Sequence, residues 1–211
     1  MILINKHNVI KISENLENEL KVYKNNNQNI NIPKLLFYKK ETKQDVLIIE
    51  NTGLNLIDVY NQLSLYELNN LYNDIKTTID YLHYYLKVVH RDIKPENITY
   101  KNNQFYLIDF NLSNDIKNIT NNFIGNIKFC SLQLLKNIKN NIFNIQVIIN
   151  NDYISLLYTI WYIYKRELPW KDDKDKITNL DIYINFLNKY KTKNNFENMI
   201  LKELKKYNEF W

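Results

Sequence analysis

The sequence predicts an α+β fold in which a small, strand-rich N-terminal part leads into a mainly helical C-terminal part. Three observations carry this. Short β-type runs crowd before Glu50: Asn8-Val9-Ile10-Lys11-Ile12, Leu35-Leu36-Phe37-Tyr38 and Val46-Leu47-Ile48-Ile49. Leu68, Leu71, Tyr72, Ile75, Ile79, Leu82 and Leu86 then recur at helical spacing, so one long helix with a single buried stripe is expected. Finally, the stretch from Tyr153 to Tyr164 is apolar nearly all round, the pattern of a helix buried on every side and too short to cross a bilayer.

Composition narrows the classes further. A chain of 211 residues is one large domain or two small lobes, enough to bury a sizeable core. Asn, Ile, Lys and Tyr are over-used, and the Asn residues are interleaved with apolar ones at regular periods, which speaks against a low-complexity tract. The net charge of +5 is modest and spread along the chain, so it does not argue for nucleic acid as a partner. Cys130 stands alone, which excludes an internal disulfide and fits a reducing compartment. No leader-like apolar core opens the chain, and no run of about eighteen apolar residues occurs. The expectation is a soluble, cytoplasmic protein with no membrane partner.

Taken in order, the strand over 8–12 carries one lysine, Lys11, among apolar neighbours. Ser13 is expected to cap a helix containing Glu14, Glu17, Glu19 and Lys21. A polar turn over 25–31 and Pro33 precede two strands joined by the charged turn 40–45. Glu50-Asn51-Thr52-Gly53 then breaks the strand pattern. Ser64 with Glu67 forms a capping-box signature at the start of the long helix, which delivers the chain to His90. Beyond it, Ile98-Thr99-Tyr100 and Phe105-Tyr106-Leu107-Ile108 read as a hairpin that ends in Asp109-Phe110-Asn111. Amphipathic helices are expected over 177–190 and 196–207.

The densest chemistry lies in His90-Arg91-Asp92-Ile93-Lys94-Pro95-Glu96-Asn97, which sets a carboxylate, an ammonium and a carboxamide within six residues. Pro95 fixes its own φ and biases Lys94 away from helix, so this segment is expected to stay a loop. It is similar to the H-R-D-L-x-x-x-N catalytic loop of eukaryotic-type protein kinases, and Asp109-Phe110-Asn111 resembles their D-F-G element with Asn in place of Gly. Within that family the chain looks most like the casein kinase 1 and vaccinia-related kinase branch. Gly125-Asn126-Ile127-Lys128-Phe129-Cys130-Ser131 is similar to that branch's G-T-x-R-Y-A-S segment, Asp152-Tyr153-Ile154-Ser155-Leu156-Leu157-Tyr158 resembles D-x-x-S-L-G-Y, and Leu168-Pro169-Trp170 adds to the match.

The resemblance implies a protein-kinase-like two-lobe fold with a reduced N-terminal β-lobe over 1–50, a hinge at 51–54 and a helical C-terminal lobe over 55–211. It implies ATP and Mg2+ as cofactors and a protein serine or threonine as acceptor. Asp92 would then be the base that meets the substrate hydroxyl, Lys94 a point charge for the transferring phosphoryl group, and Asn97 and Asp109 the metal ligands. Lys11 would pair with a helix glutamate, Glu19 ahead of Glu17, and contact the nucleotide phosphates. Glu50, bordering the hinge, and Asn51 within it would be nucleotide-binding. Asp152 would accept backbone hydrogen bonds from the catalytic loop, or else act as a plain N-cap. Asn at position 111 would be tolerated if that position needs a positive φ, because Asn adopts αL more readily than other residues with a Cβ.

One departure stands out. Gly53 and Gly125 are the two glycines, and neither precedes Lys11, so the glycine-rich loop that covers ATP phosphates has no counterpart here. Weak or partner-dependent activity is therefore expected. Two other readings stay open: a pseudokinase or kinase-mimic that binds and regulates another kinase, and a small-molecule phosphotransferase of the same superfold, against which Lys94-Pro95-Glu96 argues.

Overall fold

The computed structural model describes residues 1–26, 30–120, 122–168 and 170, together with Ile184 and Lys202. The helices expected over 177–190 and 196–207 lie outside the described residues.

Four antiparallel strands form the N-terminal sheet: β1 (Ile2–Ile4), β2 (Asn8–Ser13), β3 (Leu35–Lys40) and β4 (Asp45–Glu50), in spatial order β1-β2-β4-β3. Strand β1 was not foreseen, because three residues are too few to show a period. It pairs Ile2 with Lys11 and Ile4 with Val9, so Ile2 and Ile4 share a face with Val9 and Lys11. The central strand β4 buries Asp45, Leu47 and Ile49 in strict alternation.

Helix α1 (Glu17–Lys24) packs Leu20, Val22 and Tyr23 into the core. Ser13 does not cap it. Pairing with Asp45 across the sheet keeps Ser13 in β2, and the helix starts a turn later. Its N-terminal donors go to other side chains: Glu17 N–H donates to Asn15 Oδ1 (3.0 Å) and Leu16 N–H to Asp45 Oδ2 (3.3 Å).

After β4 the chain makes β5 (Leu54–Asn55), a one-turn helix α2 (Leu56–Val59) and the long helix α3 (Leu65–Tyr81). The expected capping box is present, with Ser64 N–H donating to Glu67 Oε2 (2.7 Å) and Glu67 N–H to Ser64 Oγ (3.3 Å). Leu68, Leu71, Ile75, Ile79 and Leu82 form its buried stripe. A wide π-type turn over Leu82–Leu86 ends at Lys87 in the left-handed region and passes the chain to β6 (Val88–Val89).

The expected hairpin is β7 (Ile98–Lys101) and β8 (Gln104–Leu107), turned by Asn102 and Asn103, both at positive φ as a two-residue hairpin requires. Short β9 (Asn114–Asp115) pairs with β6. Helix α4 (Leu132–Lys139) is capped by Ser131 Oγ, and α5 (Ile145–Lys165) by Asn144 Oδ1. The start of α5 places Asp152 inside the helix, which removes the plain N-cap reading of that residue.

One continuous core runs from Leu20 and Leu47 through Leu71, Ile75 and Leu107 to Leu156 and Ile160. A second cluster joins Phe129, Leu135, Ile148, Tyr158 and Trp170 beneath the segment that leads into α4. Among the described residues no helix is long and apolar enough to cross a membrane.

Candidate functional site

The segment 90–97 is held from below by one buried carboxylate on α5. Asp152 accepts His90 N–H at Oδ2 (2.8 Å) and Arg91 N–H at Oδ1 (2.9 Å), and its Oδ2 also meets His83 Nε2 (2.8 Å). Burial alone would raise the Asp152 pKa, but the hydrogen bond and charge from His83, with His90, outweigh it and leave the carboxyl below its ordinary value. Arg91 sits at φ 70°, a costly conformation for a long side chain, and the bond to Asp152 holds it there. Arg91 Nε also donates to Leu112 O (2.7 Å).

His90 is fully buried, and burial pulls its pKa below the usual histidine value. Nδ1 accepts from Asp92 N–H (3.2 Å) and Nε2 lies 3.1 Å from Ile108 O, a pattern that only the neutral, Nε2-protonated ring satisfies.

This frame sets Asp92, Lys94 and Asn97 side by side. Lys94 Nζ lies 2.7 Å from Asp92 Oδ2, and Asn97 Nδ2 donates to the same Oδ2 (2.9 Å) and to Asp92 O (2.8 Å). Both Asn97 bonds leave from Nδ2, so its amide oxygen is turned away from Asp92. Asp92 Oδ1 is buried with no hydrogen-bond partner. A buried carboxylate oxygen left unpaired costs free energy, which an incoming donor such as a hydroxyl would recover.

The second half of the site comes from β2, α1 and the end of the hairpin. Lys11 Nζ sits 2.7 Å from Glu19 Oε2 and 3.0 Å from Asp109 Oδ1. Glu17 instead pairs with Lys40 on the surface (2.7 Å), because the two-residue step between it and Glu19 turns it about 200° to the opposite side of α1. Burial lowers the Lys11 pKa, but the two carboxylates more than offset it, and the net direction is upward. Phe110 is fully buried and meets Tyr23 and His90 edge-on, with ring centroids 5.4 and 5.0 Å away. Asn111 does not take a positive φ, whereas Asp109 does (φ 64°). Position 111 therefore needs no glycine-like freedom, and its Asn is accommodated without strain.

Lys11, Glu50, Asn51, Asn97 and Asp109 all line one cavity of about 520 Å3, roofed by Ile2, Ile4 and Val9. Asp92 and Lys94 adjoin it through Asn97, and Glu19 lies behind Lys11. Among the described residues no group of three or more His, Cys, Asp and Glu side chains is placed to hold a metal ion. A carboxylate at 109 and an amide oxygen at 97 are hard ligands of the kind Mg2+ accepts, with the remaining positions filled by water or phosphate oxygens.

Gly125 closes the site on its far side. It has φ 122°, and a Cβ there would lie 2.0 Å from Arg91 O. Gly125→Ala should lower stability by at least about 1–3 kcal/mol, read as a lower urea midpoint, because the backbone must leave either the conformation or the contact. Downstream, Ser131 N–H donates to Asn151 Oδ1 (2.7 Å) and Ser155 Oγ to Phe129 O (2.8 Å), fastening the segment to α5.

Sequence reasoning missed His83, Lys101 and the Ile2–Ile4 strand. His83 and Lys101 carry no motif, and their roles arise from partners on other elements.

A small antiparallel sheet set against helices, with an ion-paired lysine facing a carboxylate-bearing loop across one cavity, is the architecture of a kinase-class transferase. Residues 2–208 match the protein kinase domain family model, and the chain belongs to that family.

Proposed function

We propose that this protein transfers the γ-phosphoryl group of ATP to a serine or threonine hydroxyl of a protein substrate. The observation that carries the proposal is Lys11, held between Glu19 and Asp109 at the wall of a cavity that Asn97 also lines. In this reading Lys11 contacts the nucleotide phosphates, and Glu19 keeps its ammonium charged and aimed. Asn97 and Asp109 would hold Mg2+, which when bound neutralises charge on the phosphates. Asp92 orients the acceptor hydroxyl and takes its proton at the unpaired Oδ1. Lys94 swings from Asp92 Oδ2 toward the transferring group, a short move for a flexible side chain. Glu50 and its neighbours at the end of β4 form the edge against which the base lies.

We further assign the chain to the casein kinase 1 and vaccinia-related kinase branch, on the segments 125–131 and 152–158. The organisation is two lobes, the N-terminal one reduced to the four strands and α1. The exposed Ile2 and Ile4 on the cavity face offer it an apolar roof.

Thermal melting of the purified chain tests this. Mg2+ with ATP should raise the melting temperature, ATP with a chelator should not, and Asp109→Asn should abolish the metal-dependent part. Equal shifts with and without metal would count against Asn97 and Asp109 as its ligands. Metal-dependent binding without transfer to any serine, threonine or tyrosine peptide would turn the assignment toward a regulatory binding module.

A further inference from the structure

The walls of the cavity are tied to each other by polar contacts at its edge. Asn51 follows β4 directly, and every polar group it has is already engaged. Its N–H donates to His7 O (2.9 Å), its Nδ2 to Asn5 O (2.6 Å), its C=O accepts from Lys101 Nζ (2.7 Å), and its Oδ1 accepts from Gly53 N–H (2.9 Å). Each polar group of Asn51 thus has a protein partner before any nucleotide enters. What Asn51 does is join three pieces of chain. The turn over residues 5–7 connects β1 to β2, the strand of Lys11, and Lys101 ends β7, the strand that continues from Asn97.

Lys101 completes the link from the opposite wall. Besides Asn51 O, its Nζ lies 3.5 Å from Glu50 Oε1, so one ammonium clamps two successive residues. The approach is close because position 53 is glycine: a Cβ there would lie 2.2 Å from Tyr100 O and 2.8 Å from the Lys101 Cβ. Lys101, Glu50 and Asn51 all line the 520 Å3 cavity, Lys11 and Asn97 with them. The two groups expected at the phosphates therefore sit on walls that the Lys101–Asn51 latch connects.

We propose that Asn51 and Lys101 are positioning residues that hold the two walls of the cavity at the separation Mg-ATP needs, so that they set nucleotide affinity and not the rate of transfer. The inference rests on the phosphotransfer reading above. A latch of this kind raises the fraction of molecules already in the binding-competent shape, and apparent affinity falls in proportion when that fraction drops. Chemistry at saturating nucleotide proceeds only from the closed arrangement and is spared.

The test is steady-state kinetics with a peptide acceptor, together with direct Mg-ATP binding by calorimetry, on three variants. Lys101→Met keeps the stem and removes the donor, and should raise KM for ATP and the Mg-ATP Kd about tenfold, with kcat within about twofold of wild type. Lys101→Arg restores a donor and should recover most of the affinity. Asn51→Asp keeps the acceptor for Gly53 but loses the donor to Asn5 O, and should shift KM in the same direction as Lys101→Met. Unchanged KM in both Lys101→Met and Asn51→Asp would overturn the inference, as would a fall in kcat with KM unchanged. A wild-type chain that binds no Mg-ATP would sink the phosphotransfer reading itself, and this inference with it, before any variant is compared.

Discussion

Asp92→Ala should cut phosphoryl transfer to a peptide by about 10²–10⁴-fold, the usual range for a lost general base, while leaving the Mg-ATP Kd nearly unchanged. The geometry separates the two effects. Asp92 adjoins the cavity without lining it, and its free Oδ1 is the atom available to an acceptor hydroxyl. Stability should suffer less than activity. The substitution removes a buried unpaired oxygen, but it also takes partners from Lys94 Nζ and Asn97 Nδ2, of which the lysine can turn to water. Asp92→Asn is the companion variant, since it preserves shape and keeps one oxygen for those donors. Both should be inactive. Residual activity near wild type in either would mean that another group takes the proton.

Lys11→Met should destabilise the fold by about 3–5 kcal/mol as well as abolish nucleotide binding, because it strands Glu19 in the core. Glu19 is 2% exposed, and burial already raises its pKa against the opposing pull of Lys11. Without the ammonium, only a smaller contribution from Tyr23 opposes burial, and the shift grows. The sign of the pH dependence follows. A carboxyl whose folded pKa lies above its unfolded value near 4.5 costs stability wherever the unfolded chain is ionised, and that cost disappears once both states are protonated. The gap between wild type and Lys11→Met should therefore be widest at neutral pH and narrow as pH falls through the raised folded value toward 4.5. Urea unfolding of both proteins across that range measures it. A gap that stays constant with pH would mean that the loss comes from packing alone. Lys11→Met with Glu19→Gln should restore much of the stability and none of the nucleotide binding.

The elements most legible in the sequence were those whose signal is local. The stripe from Leu68 to Leu82, the Ser64–Glu67 box and the β7–β8 hairpin are all written within a few turns or a few residues, where period and turn chemistry act directly. Boundaries failed where a distant element intervened. Ser13 lost its place as a cap to strand pairing with Asp45, and α5 begins well before Asp152 because Asn144 supplies a better cap.

The candidate site divides along the same line. Residues 90–97 announced themselves because loop chemistry packs a carboxylate, an ammonium and a carboxamide into six positions, and Lys94 and Asn97 do reach Asp92. Which glutamate meets Lys11 was a matter of how α1 docks on the sheet. The contact of Lys11 with Asp109 spans 98 positions, and no spacing rule reaches that far. Asn51 shows the difference most plainly. The family resemblance marked it as a nucleotide contact, and only packing revealed its partners Asn5, His7, Gly53 and Lys101. By itself the sequence determined the family and the elements with a local signal, the long helix, its capping box and the β7–β8 hairpin, because periodicity and motif spacing are properties of neighbouring positions. The tertiary structure alone decided the partners, the strained φ at Arg91 and Asp109 and the latch at Asn51, because a buried polar group takes the donor or acceptor that packing brings to it, wherever in the chain that group began.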